Sequence, residues 1–99
     1  MAAPPPLVRA LLDAMEEPAL LIEAERTVAA NTSARRLLGT QIIGMDVRLA
    51  IRQPRALEAI LAGKPTQLQV AGIGAPDRHW TMSIRALDAR LLLVRLVDQ

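Results

Sequence analysis

His79 is the chain's only histidine, and cysteine is absent. A lone imidazole cannot assemble a metal site, and without thiolates there is no disulfide, no cysteine nucleophile and no photochemistry that needs a flavin–cysteine adduct. Ser33 and Ser83 lack the setting of a nucleophile elbow, and the carboxylate pairs Glu16/Glu17 and Glu23/Glu25 stand in polar stretches where solvent keeps them ordinary acids. Gly72-Ile-Gly74 has neither the third glycine nor the following helix of a dinucleotide loop, and reads as a hairpin connection. Arg35, Arg36, Arg48, Arg52 and Arg55 offer cations to phosphates, but acids are interspersed among them and no aromatic platform or recognition-helix pattern accompanies them. They read as a solvated face, so no nucleic-acid partner is expected. Nothing in the pattern assembles an active site, a metal site or a cofactor site.

Composition sets what kind of body carries these groups. With 99 residues, 52% of them hydrophobic and Trp80 the only aromatic, one domain with an aliphatic core is expected. The net charge of +2 is spread along the chain, and Lys64 is the only lysine. The apolar runs Ala19 to Ile22 and Leu91 to Val94 are far shorter than the roughly 20 residues that span a bilayer, so no membrane insertion is expected. Residues 1–6, rich in proline, read as a flexible linker and 7–99 as the domain.

The elements that must position these residues follow from their periods. Pro6 suits a first helical position, and Leu7, Val8, Leu11, Leu12 and Met15 recur at helical spacing, which predicts an amphipathic helix ending before Pro18. Ala19 to Ile22 and Thr27 to Ala30 predict a hairpin. Asn31 is placed to cap a short helix over Ala34 to Leu38 that stops at Gly39, and Asp46 to cap a second turn through Ile51. Pro54 opens a third helix carrying Leu57, Ile60 and Leu61, closed by Gly63 and Pro65. From Thr66 the period becomes two: Leu68 and Val70, then Trp80, Met82, Ile84 and Ala86, alternate with polar neighbours, and Leu91 to Val97 is a last strand apolar on both faces. The last three strands predict an antiparallel meander, extended by the first hairpin into one sheet with helices over one face.

This order resembles the PAS fold, an α+β arrangement of a five-stranded antiparallel sheet with short helices on one face and a leading amphipathic helix. Leu11-Leu-Asp-Ala-Met-Glu-Glu-Pro18-Ala-Leu-Leu-Ile22 resembles the family's leading helix running into its first strand, and Val28-Ala-Ala-Asn31 its second strand and following Asn. Ala34-Arg-Arg-Leu-Leu-Gly39 with Ile43-Gly44 is similar to the helix and glycine turn that come next, and Leu92 to Asp98 to the last strand. Arg52-Gln-Pro54-Arg-Ala-Leu-Glu-Ala-Ile60 resembles the third-helix segment of phosphate-regulon-type sensor histidine kinases. The resemblance implies a cytoplasmic signalling and dimerisation module without catalysis, feeding a downstream kinase core. It also leaves room for a small ligand. Haem-binding members place an axial His on the long helix, where this chain has Leu57 and Ile60, so haem is disfavoured. The family's first hairpin usually turns through glycine, whereas Glu23-Ala-Glu-Arg26 has none, and a turn needing positive φ here is strained.

Two groups of residues then stand as candidates. Trp80, Met82 and Ile84, facing the helices with Met45 and Leu57, line either a small apolar cavity or plain core, and core is the stronger reading because no polar groups converge there. Leu7, Val8, Leu11, Leu12 and Met15 form a stripe suited to a homodimer interface together with the outer sheet face, where the last strand's apolar positions need cover. Asn31 is expected to act as a structural cap, and His79, sharing a face with Thr81 and Ser83, as a surface residue.

Overall fold

The computed structural model describes residues 6–98. The elements run α1 (Pro6–Asp13), β1 (Ala19–Glu23), β2 (Arg26–Ala30), α2 (Thr32–Leu38), a 3₁₀ turn (Thr40–Ile42), α3 (Val47–Ala50), α4 (Pro54–Ala62), β3 (Thr66–Ala71), β4 (His79–Ala86) and β5 (Leu91–Asp98). The strands form one antiparallel sheet in the order β2-β1-β5-β4-β3, so the meander and its extension by the first hairpin are as expected. Pro6 is the first residue of α1 and not linker; the rest of the expected linker lies outside the described residues.

Local chemistry accounts for the boundaries. Asn31 and Asp46 cap α2 and α3 through their side chains, accepting from the Ala34 and Arg48 N–H groups. Gln53 does the same for α4, with Pro54 at its first turn and Gly63 in the left-handed conformation at its end. The first hairpin turns through Ala24 and Glu25, at φ 50° and 64°, so two L-residues occupy positions that a tight turn of this hand reserves for Asn and Gly.

The sheet separates two cores. Between its inner face and the helices lie Leu20, Ile22, Ala34, Ile42, Val47, Ile51, Ala56, Ile60, Val70, Trp80, Met82, Ile84, Val94 and Leu96. On the outer face a smaller cluster joins Leu12 of α1 to Ala19, Leu21 and Ala29, with Val8, Met15, Val28, Leu91 and Leu93 packed around it. An eight-residue helix is about 12 Å long, so α1 covers only part of the outer face. No helix among the described residues is long and apolar enough to cross a membrane.

Candidate functional site

Asn31 joins four parts of the fold. Its Oδ1 accepts from the Ala34 N–H at 2.9 Å and the Ala19 N–H at 3.1 Å, while Nδ2 donates to the carbonyls of Leu12, Met15 and Glu17 at 3.1, 3.2 and 2.8 Å. One buried amide thus caps the start of α2, anchors the start of β1, and satisfies carbonyls at and after the end of α1 that the helix itself leaves without partners. The expected cap is present, and its reach into α1 is the part that sequence spacing does not disclose.

The segment that Asn31 holds also touches the far end of the chain. Leu96 N–H donates to Pro18 O at 2.9 Å, and the Arg95 guanidinium pairs with the Glu17 carboxylate at 2.8 Å. Ser33 Oγ donates to Glu16 O from the first turn of α2. The end of α1, the start of α2 and the last third of β5 therefore form one hydrogen-bonded junction.

Beside this junction opens a cleft of about 610 Å³ bordered by Glu16, Ser33, Arg36, Arg78, Trp80 and Asp98, among others. Trp80 is 1% exposed, and its indole N–H donates to Ile73 O at 2.8 Å, which satisfies the one polar atom of the ring. The Arg78 guanidinium lies 4.2 Å from the ring centroid and donates to Asp98 Oδ2 at 2.9 Å. One cation thereby stacks on the only aromatic residue and pairs with the last described residue of β5.

Trp80, Met82 and Ile84 are buried in the main core, and Leu57 packs against it half-buried. The residue that departs from expectation is Met45. It is 44% exposed and outside the main core, on the segment that runs along the outer edge of β2, where its carbonyl accepts the Thr27 N–H at 2.9 Å. Of the stripe on α1, Leu12 is 5% exposed within its own chain, with Val8 and Met15 packed beside it partly buried, so on this side the stripe also serves the fold. Leu7 and Leu11 face outward at 70% and 62% exposure. His79 is exposed, as expected.

Sequence reasoning did not single out Thr27. Its residue is fully buried on β2, beside the irregularity where β1–β2 pairing slips between Leu21 and Ile22, and its hydroxyl has no hydrogen-bond partner. Nor did it find the cluster of Glu25, Asp46 and Arg48, where the guanidinium pairs with both acids at 3.1 and 3.0 Å and ties the first turn to α3. The hydrogen bond from the Arg48 N–H, helped by its guanidinium, holds the Asp46 carboxyl below the usual carboxylate range.

Neither a protein-family model nor a curated protein matches the sequence. Solved structures do match. The Rhodobacter sphaeroides LOV protein is 17% identical at a TM-score of 0.64, covering 92% of this chain and 64% of its own. A domain of the sensory box sensor histidine kinase/response regulator from Geobacter sulfurreducens is 17% identical at 0.66, over 93% of this chain and 91% of its own. A PAS domain from a two-component sensor histidine kinase is 13% identical at 0.63, over 94% of both. The chain thus spans under two thirds of the LOV chains and nearly all of the histidine kinase domains. Its fold is the PAS/LOV fold.

Proposed function

We propose that the chain is a non-catalytic PAS sensory and dimerisation module of a two-component sensor histidine kinase, of the phosphate-regulon type its sequence resembles. It works in the cytoplasm and relays a packing change to a kinase core carried by a longer parent chain. The observation that supports this reading is the two-sidedness of α1. One side, with Leu12, is fixed to the sheet, while Leu7 and Leu11, four residues apart, present an apolar stripe to solvent. A second copy that pairs this stripe covers it, and the outer face of β5, where Val97 is also exposed, lies next to it. A signal that favours one of two helix arrangements at that interface shifts their populations. The change passes to β5 through Asn31, Glu17 and Pro18. Light scattering tests the reading: a dimer that Leu11→Asp converts to a folded monomer is expected, and a strict monomer that ignores the substitution removes its basis.

A second reading, a small-ligand receptor, is favoured by the cleft beside Trp80 rather than by the space behind it, which core side chains fill. Ser33, Arg36 and Arg78 border that cleft and supply polar groups that the interior lacks. Thermal-shift screening read with Trp80 fluorescence decides, since a binder raises the melting temperature with occupancy; a signal unmoved by every compound retires this reading.

A further inference from the structure

The two edges of the sheet are treated differently. β2 is covered: Thr27 N–H donates to Met45 O, Gly44 N–H to Thr27 O and Val47 N–H to Glu25 O, at 2.9, 2.6 and 2.8 Å, so residues 44–47 occupy its outer edge. Among the described residues, no backbone segment covers β3 in this way. The Gly72 N–H donates back to Arg78 O at 3.0 Å, which places the even-numbered residues of β3 on the β4 ladder and turns the N–H and C=O groups of Gln67, Gln69 and Ala71 outward. Gln69 O is held by the side chain of Arg55 at 3.1 Å, a contact that a strand's own N–H could take over.

Recesses flank this edge on both faces of the sheet. On the helix side, Arg55, Glu58, Lys64 and Thr66 border a groove of about 480 Å³. On the outer side, Thr66, Gln67, Ser83 and Arg85 border one of about 250 Å³. A strand laid along β3 sends alternate side chains into the two recesses. Three cations stand there against one acid, and neither Lys64 nor Arg85 has an ion-pair partner among the described residues.

We propose that the β3 edge docks an extended, acidic segment of a partner protein, which adds to the sheet as a sixth strand. Backbone hydrogen bonds to Gln67, Gln69 and Ala71 supply the attachment, and carboxylates facing Arg55, Lys64 and Arg85 supply the selection. An arriving N–H displaces Arg55 from Gln69 O and frees the guanidinium for a carboxylate. A second copy fits poorly, because it brings to the shared edge the same excess of cations, Arg55, Lys64 and Arg85 against Glu58, and no complementary acids.

The probes are blocked peptides of acetyl-Thr-Glu-Glu-Val-Thr-Glu-Glu-Val-amide and its lysine counterpart, titrated into the ¹⁵N-labelled chain. The glutamate peptide is expected to shift the amides of Gln67, Gln69 and Ala71, to weaken with added salt, and to bind at least tenfold more tightly than the lysine peptide. Gln69→Pro removes an outward N–H without touching the β4 ladder and abolishes the response. Should that variant lose its Trp80 emission, the pair Lys64→Glu and Arg85→Glu decides instead, weakening binding at least fivefold at unchanged melting temperature. Shifts elsewhere, equal response to both peptides, no response, or β3 shifts that grow with protein concentration alone each overturn the proposal.

Discussion

Arg95 Nε and Nη2 converge on one carboxylate oxygen of Glu17, at 3.1 and 2.8 Å, across 78 positions of sequence. The pair is about a third exposed, so its contribution to stability is below about 1 kcal/mol after solvent screening. Its importance is positional, since it fixes the segment after α1 to β5. Glu17→Gln is expected to leave the melting temperature nearly unchanged while speeding hydrogen exchange at Met15 to Ala19; unchanged exchange there means that the pair couples nothing.

Asn31→Ala removes the caps of two helices at once and leaves the Ala19 and Ala34 N–H groups without their acceptor. With about 1–3 kcal/mol for each buried group left unsatisfied, partly relieved by water, a loss of about 3 kcal/mol is expected in urea unfolding. A loss under about 1 kcal/mol shows that the junction rearranges without the amide.

The first hairpin carries avoidable strain. Ala24 and Glu25 sit at positive φ, a cost of roughly 1 kcal/mol or more for each L-residue with a Cβ. Ala24→Asn with Glu25→Gly, which sacrifices only the exposed pair of Glu25 with Arg48, is expected to raise stability by about 1 kcal/mol. A fall in stability shows that the Glu25 side chain outweighs the strain.

Thr27→Val replaces a buried hydroxyl that has no partner with a methyl group of similar size. Thermal or urea unfolding is expected to show a gain of about 1 kcal/mol, because the desolvation cost disappears. A loss of the same size is the opposing result.

Asp46 gives the chain an acid-sensitive clamp. Its folded-state pKa is lowered, chiefly by the Arg48 N–H, so the stabilisation is complete above the ordinary carboxylate pKa and fades as pH falls through the lower folded value. Acid titrations of the wild type and Asp46→Asn are expected to differ at neutral pH and to converge at the acid end. Parallel curves throughout contradict the linkage.

Much of the fold follows from information within a few residues. The period-two alternation of Trp80, Met82 and Ile84, the Pro54 and Gly63 punctuation of α4, and Asn31 ahead of α2 each depend on neighbours one to four positions away, which is why residue types alone disclose them. The strained turn at Ala24 and Glu25 was legible for the same reason, as a tight turn without glycine.

Other features belong to the tertiary structure. Nothing within reach of Met45 in sequence says that its carbonyl will pair with Thr27, which sets it along the outer edge of β2 and outside the main core. The stripe on α1 has an apolar moment but no address; packing against Ala19, Leu21 and Ala29 divides it into Leu12, spent on the fold, and Leu7 and Leu11, left to solvent. The meeting of Arg78 with Trp80 and Asp98, like that of Glu17 with Arg95, needs the register of β4 and β5 before side chains so distant in sequence become neighbours. Periodicity and capping are local and can be read along the chain, whereas the partner of a charge or an apolar face is chosen by how the sheet closes.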